Sequence, residues 1–292
     1  MTTLLVCKIG KHLILNKLKL SFSSYTTVKM PLKFAANVSM LFQENGTLDK
    51  RYKVAENAGF KYVECTFPYD IPIETLQSAK ESANVEQVLV NGWPGDMTKG
   101  DVGISALPDR IEEFREKLET SIKYANALNC KRMHIMAARV TDKFTTKQME
   151  AVYIENLKYA ADRLQKEGIL ALIEAVNSRI SVPGYLMDHP QKAVEIIEKV
   201  NHPNLKMQLD LFHVQIMDGN LTGNIKKYLP YTGHIQIAQV PKRGEPDTEG
   251  EINYPYVFKV LEESGYDGYI GLEYIPAGKT LDGLKWMKIM GF

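Results

Sequence analysis

The run Leu205-Lys-Met-Gln-Leu-Asp-Leu-Phe-His-Val-Gln-Ile-Met-Asp-Gly219 begins like a buried strand and places Asp210 and His213 where its apolar residues end. A carboxylate and an imidazole three residues apart could hold a cation, move a proton or polarise a carbonyl. On this stretch alone a plainer role competes: Asp is a favoured helix cap, and His213 would pack on the helix's first turn. Other stretches carry the same anomaly. Ala171-Leu-Ile-Glu-Ala-Val-Asn177 contains Glu174, Gly233-His-Ile-Gln-Ile-Ala-Gln239 contains Gln236, and Tyr269-Ile-Gly-Leu-Glu-Tyr274 contains Glu273. A carboxylate inside an apolar strand is costly unless it is paired or metal-bound. Convergence of Glu174, Asp210, Gln236 and Glu273 on one divalent cation explains all four together. Three carboxylates and an amide oxygen are hard ligands, suited to Mg2+ or Mn2+ better than to Zn2+. The alternative is a network in which the four satisfy one another. His134 adds an imidazole near the end of another apolar run, as a site residue or as a packed core histidine.

Convergence needs elements that bring strand ends together. From Pro31 onward, short apolar runs alternate with amphipathic segments. Strands are expected at 32–41, 62–67, 87–91, 132–137, 170–176, 205–211, 234–240 and 269–274. Helices are expected at 49–58, 73–83, 111–128, 146–167, 190–200, 225–229, 254–264 and 280–290. The clearest period is Ile111, Phe114, Leu118, Ile122, Ala125 and Leu128, whose steps of three and four define one helix face. Gly59, Gly168 and Gly265 stand where helices should stop. The connection 92–107 is longer than most, and long loops in compact domains are often functional. Phe42 and Trp93, near the ends of the first and third strands, could wall off a site or merely cover the top.

Alternating units imply parallel strands with crossover helices. Eight of them, with no linker composition, predict an α/β fold: a single closed (β/α)8 barrel over residues 30–292. Its catalytic groups belong at the C-terminal ends of the strands. No Gly-x-Gly-x-x-Gly or Walker motif occurs, so no nucleotide cofactor is expected.

The 292 residues suit such a barrel, which usually needs about 250 as one domain. A net charge of +1 gives no electrostatic case for nucleic acid or an anionic membrane. No apolar run reaches the roughly 20 residues of a membrane span. Cys7, Cys65 and Cys130 form no Cys-x-x-Cys pair, which points to a reducing compartment and no thiolate metal site. Residues 1–29 read as an appended extension. No acidic residue precedes Glu44, whereas lysines and hydroxyls are frequent, as in an organelle transit peptide; yet the first arginine is Arg51. Cytoplasmic residence is expected, with a mitochondrial address in the extension as the alternative. Homo-oligomeric assembly is left open.

Three motifs carry a family resemblance: Asp210-Leu-Phe-His-Val-Gln-Ile-Met-Asp-Gly-Asn-Leu-Thr-Gly-Asn224, His234-Ile-Gln-Ile-Ala-Gln-Val-Pro-Lys-Arg-Gly-Glu-Pro246 and Gly271-Leu-Glu-Tyr-Ile275. From about Leu32 to the C-terminus the chain resembles the hydroxypyruvate isomerase family of the xylose-isomerase-like TIM-barrel superfamily. The resemblance implies interconversion of hydroxypyruvate and 2-hydroxy-3-oxopropanoate (tartronate semialdehyde) through an enediol. Glu174 and Glu273 would be the base and acid, and His213 would polarise the substrate. Arg243 would clamp the substrate carboxylate, unless it is a solvated loop charge beside Lys242; His134 is a further candidate contact. Related sugar enzymes have His where this chain has Gln236, so a weakly held or dispensable cation is expected. Glu245, Asp247, Glu249 and Glu251 read as a solvated acidic run. The rivals are a ketose 3-epimerase or other sugar isomerase, a phosphodiesterase of the endonuclease IV type, and a non-catalytic binding barrel. With only six histidines, one of them in the extension, a His-rich zinc cluster is the weaker expectation.

Overall fold

The computed structural model describes residues 31–292; the extension 1–29 and Cys7 lie outside the described residues. Eight parallel strands pair in chain order and close into one barrel. They are β1 (Lys33–Asn37), β2 (Tyr62–Cys65), β3 (Glu86–Asn91), β4 (Arg132–His134), β5 (Leu170–Glu174), β6 (Leu205–Asp210), β7 (Thr232–Ile237) and β8 (Tyr269–Leu272). Closure joins β1 to β8, with Ala35 opposite Gly271. The helices around it are α1 (Leu48–Asn57), α2 (Ile73–Ser82), α3 (Ile111–Ala127), α4 (Thr146–Lys166), α5 (Pro190–Val200), α6 (Leu211–Met217), α7 (Leu221–Tyr228), α8 (Tyr254–Glu263), α9 (Thr280–Gly283) and α10 (Lys285–Ile289).

The helices attach through their apolar faces. On α3, Phe114, Leu118, Ile122 and Ala125 are buried; each of the three large side chains gains about 1.5–3 kcal/mol from burial. The helix α4 starts on a capping box. Thr145 Oγ1 accepts from the Gln148 backbone, and Gln148 Oε1 accepts from the Thr145 backbone, a cap worth about 1 kcal/mol.

The large apolar core lies between barrel and helices. A second, small cluster, Ala35, Val88, Leu89 and Leu172, is separate from it. Ala35 is two residues before Asn37 and Leu172 two before Glu174, so strand alternation puts each pair on one inner face. The barrel interior is therefore apolar low down and polar toward the C-terminal ends of the strands. That polar layer holds the site.

Most strands stop two to four residues earlier than their apolar runs predict, because apolar residues continue into buried loops without ladder pairing: Leu41, Ala137, Ala238, Val240 and Tyr274 are all buried. The strand β7 starts two residues earlier than expected, where Thr232 pairs with Met207. The helix α6 is the one that the capping alternative for Asp210 implied, though it is absent from the expected helix spans, and the closing helix is two short ones, α9 and α10. Among the described residues no helix is long and apolar enough to cross a membrane.

Candidate active site

The polar groups gather at the C-terminal ends of β4 to β8. Glu174 ends β5, Asp210 ends β6, and Gln236 lies in β7 directly across from Asp210. Glu174, Asp210 and His213 each bring one potential ligand atom within 4.8 Å of the others. His213 Nε2 lies 3.5 Å from Glu174 Oε1 and 3.4 Å from Asp210 Oδ2. Those two oxygens are buried and have no hydrogen-bond partner. Two bare carboxylate oxygens turned into one buried space are a donor set that fits a hard divalent cation. Asp210 also caps α6, its Oδ1 accepting from the Phe212 backbone at 2.8 Å. The two roles weighed for Asp210 thus fall to different oxygens of one side chain.

The other expected ligands are held elsewhere. Gln236 Oε1 accepts from Gln208 Nε2 at 2.6 Å, and Gln236 Nε2 donates to Glu64 at 2.7 Å. Glu273, just past β8, is drawn onto Arg243, whose Nη2 pairs with its carboxylate. The four oxygens do not stand as one coordination shell.

The tautomer of His213 follows from its neighbour. Asn177 Oδ1 accepts from the backbones of Ile180 and Ser181, both at 3.0 Å. Its amide nitrogen must therefore face the other way, toward Ser181 Oγ at 2.8 Å and His213 Nδ1 at 2.6 Å. Nδ1 accepts, so the proton of a neutral ring is on Nε2. The imidazole turns an N–H toward Glu174 and Asp210, which suits polarising a substrate oxygen better than binding metal. His134, the last residue of β4, has Nδ1 3.4 Å from Glu174 Oε2, and neither of its nitrogens has a hydrogen-bond partner.

Arg243 is no solvated loop charge; its side chain is 23% exposed. Its backbone has φ +54°, a left-handed conformation that costs a non-glycine residue about 1–2 kcal/mol. Ile275 N–H donates to its carbonyl at 2.7 Å, and Gln239 pairs with Gly244 beside it. The guanidinium lies over the Phe212 ring and 3.8 Å from Asp210 Oδ2. Its hydrogen bonds among the described residues run through Nε and Nη2, both to Glu273. Arg243→Lys keeps the charge but loses the planar fork. It should raise KM about tenfold, more than it lowers kcat. An unchanged KM in steady-state assays would remove Arg243 from the substrate site.

Burial dominates the titration of these groups. Burial first, then the charges of Glu273 and Asp210, push Glu174 well above the usual carboxylate range. Burial pushes Glu273 up to about 7, with Arg243 holding it down and Asp210 and Glu64 adding to the rise. Asp210 is raised by burial against the pull of Arg243. His213 is pushed well below its ordinary value by burial and by Arg243, and burial takes His134 down to about 3; both rings are neutral. For Arg243 burial works against the charge, but Glu273, Asp210 and Glu174 together hold it protonated above its usual range. If Glu273 acts as a base it must be ionised, so raising its pKa moves the acid limb upward. The kcat/KM profile should fall below pH of about 7. A profile flat down to pH 5 would mean that another group titrates.

Several residues of the site escaped the sequence. Glu64, in β2, is completely buried and takes hydrogen bonds from Asn37, His234 and Gln236. Its signal was present, as a carboxylate within Tyr62-Val-Glu-Cys65. Gln208 donates to Glu174 Oε2 at 3.0 Å. Glu245 was expected in solvent but is buried, accepting from the Ala277 backbone at 2.9 Å; a Cβ at Gly283 would stand 2.7 Å from its carboxylate. Phe42 packs edge-on against Phe60, and Trp93 lies tilted against Tyr69.

A closed barrel that presents buried carboxylates, neutral imidazoles and one inward guanidinium at its C-terminal mouth is arranged for proton transfer beside a carbonyl. Residues 52–290 match the family model described as "Xylose isomerase-like TIM barrel". A Danio rerio protein with a hydroxypyruvate isomerase name is 50% identical over 262 residues, covering 88% of this chain and 95% of that one. The hydroxypyruvate isomerase of Escherichia coli K12 is 43% identical over 256 residues, covering 88% and 98%. A solved structure titled as an AP endonuclease, family 2, from Brucella melitensis superposes with a TM-score of 0.85 at 45% identity, covering 89% and 99%. The chain belongs to the xylose isomerase-like TIM-barrel family. Within it the chain is an isomerase, similar over most of its length to hydroxypyruvate isomerases.

Proposed function

We propose that the protein moves a carbonyl between C2 and C3 of a short 2-oxo-3-hydroxy acid, interconverting hydroxypyruvate and 2-hydroxy-3-oxopropanoate. The observation that carries this is the pair of buried carboxylates, Glu174 and Glu273, with raised pKa values beside one imidazole N–H and one guanidinium. Relatives named for hydroxypyruvate and for 2-oxo-tetronate support it. Both compounds carry a ketone beside a carboxylate and a hydroxyl on the next carbon. The name of the Pectobacterium atrosepticum relative, 45% identical over 254 residues, favours a four-carbon acid as the second reading.

Arg243 binds the substrate carboxylate. The N–H on His213 Nε2 donates to the C2 oxygen. Glu273, kept ionised by Arg243, takes the C3 proton, and the electron pair moves into the C2–C3 bond as the C2 oxygen becomes the enediolate. The C3 hydroxyl proton passes to the C2 oxygen, the C3 carbonyl forms, and Glu174 gives its proton to C2. The proton gained by Glu273 returns to Glu174 through solvent, which resets the pair. Asp210, joined by Glu174 when Glu174 is ionised, would hold Mg2+ or Mn2+, which when bound supplies Lewis-acid stabilisation of developing negative charge. An endonuclease role has less support: the net charge is +1, and the metal-capable group holds a single histidine.

The test follows isomerisation in heavy water by NMR, with and without chelator, on hydroxypyruvate, 2-oxo-tetronate and a ketohexose. Deuterium should enter C2 of the acids and leave the sugar untouched. Epimerisation of the sugar alone would replace this proposal with a sugar epimerase. Exchange in none of them would point to a binding role.

A further inference from the structure

Glu64 lies on the inner face of β2. Its carboxylate accepts from His234 Nε2 and Gln236 Nε2, both at 2.7 Å, and from Asn37 Nδ2 at 3.0 Å. The barrel is shaped around it. A Cβ at Gly271 would stand 2.3 Å from both of its oxygens. Register shifts fall between Val63 and Glu64 and between Met207 and Gln208, and such irregularities re-aim side chains beside active sites.

A carboxylate can only accept. Gln236 must therefore turn its nitrogen to Glu64 and its oxygen away. That oxygen accepts from Gln208 Nε2 at 2.6 Å, and the second proton of the same nitrogen goes to Glu174 Oε2 at 3.0 Å. Gln208 Oε1 is left buried without a partner. Turning the amide over would set two carbonyl oxygens against each other, so Gln208 is locked while Gln236 is.

We propose that Glu64 is a positioning residue. It sets the direction of an amide relay, Glu64–Gln236–Gln208, which delivers an N–H donor to Glu174 Oε2 and leaves Oε1 free to face the substrate. This rests on the role given to Glu174 above.

Neutron diffraction from crystals of the full chain exchanged into heavy water tests the direction without any turnover. Deuterium should lie on Gln236 facing Glu64 and on Gln208 facing Glu174. Gln208 oxygen against Glu174, or Gln236 oxygen against Glu64, would overturn the proposal even if the isomerase assignment stands. An inactive wild type with the expected deuterium pattern would instead sink the isomerase assignment and leave the relay intact. In kinetics, Glu64→Leu, which removes the acceptor that orients Gln236, should lower kcat about 10- to 100-fold with little change in KM. The same change made on top of Gln236→Leu should cost about threefold or less, because the relay is already cut. Gly271→Ala, which displaces Glu64 by contact, should reproduce the kcat loss. Equal losses from Glu64→Leu in both backgrounds would overturn the proposal.

Discussion

Glu273→Gln should lower kcat by about 10^2- to 10^4-fold, the range supplied by a positioned acid or base, and leave the barrel folded. Glutamine has the length and shape of glutamate. Its amide oxygen can still accept from Arg243, while the longer 3.4 Å contact from Asn37, which reaches the other oxygen, is lost. What it cannot do is take a proton from carbon. Glu174→Gln should fall as far. Its side chain can still accept from Gln208 but has no proton to return to C2. Because the two act on one proton path, the double variant should be little worse than either single one. The measurement is steady-state turnover of hydroxypyruvate, with melting followed by circular dichroism as the control for folding. Wild-type-like turnover in either folded variant would remove that residue from the acid–base pair.

The barrel was legible because each unit carried its own signal. The α3 face could be counted along the chain, and the glycines after α1, α4 and α8 marked the stops. Strand ends were less legible, because burial continues past the last ladder bond: Val240 and Tyr274 are as buried as strand residues but pair with no neighbouring strand. The helix α6 was legible only as the alternative in which Asp210 is a cap. Leu211-Phe-His-Val214 is as apolar as the strand before it, and the Asp210 side chain, accepting from Phe212, marks where the helix starts.

At the site, residue types were legible and partners were not. Glu174, Asp210 and Glu273 stood out as carboxylates in apolar runs, because burying a charge has a cost that sequence can register. Glu64 carried that same signal. Gln208 and Asn177 did not, because an amide costs far less to bury, and its role depends on which end faces which neighbour. Arg243 reaches the site through one left-handed residue between Gln239 and Gly244, and nothing in Pro241-Lys-Arg-Gly244 announces that turn. Gln236 was read as an oxygen ligand from its type alone. In the folded chain its oxygen answers to Gln208 and its nitrogen to Glu64.

Asn177→Asp should separate the two uses open to His213, and its effect should rival loss of the acid or the base. The substitution swaps one amide nitrogen for an oxygen of similar size. The backbone N–H groups of Ile180 and Ser181 keep their acceptor, so the loop should hold its shape. The atom facing His213 Nδ1 changes from donor to acceptor. Burial and Arg243 oppose a second proton on the ring, and the new carboxylate draws the first to Nδ1. Nε2 then turns a lone pair toward Glu174 Oε1 and Asp210 Oδ2, at the 3.5 and 3.4 Å now spanned by an N–H. The site loses its donor to the enediolate oxygen, and removing such a donor costs about 10^2- to 10^3-fold in kcat. The same change completes a Glu–Asp–His set with an imidazole lone pair, which zinc favours. Zn2+ affinity, measured by competition with a chelator, should therefore rise by about tenfold or more as turnover falls. Nitrogen-15 NMR of the histidine rings reads the tautomer directly. The wild type should carry the His213 proton on Nε2 and the variant on Nδ1. A wild-type proton on Nδ1 would make His213 a metal ligand instead, and Asn177→Asp would then leave Zn2+ affinity unchanged.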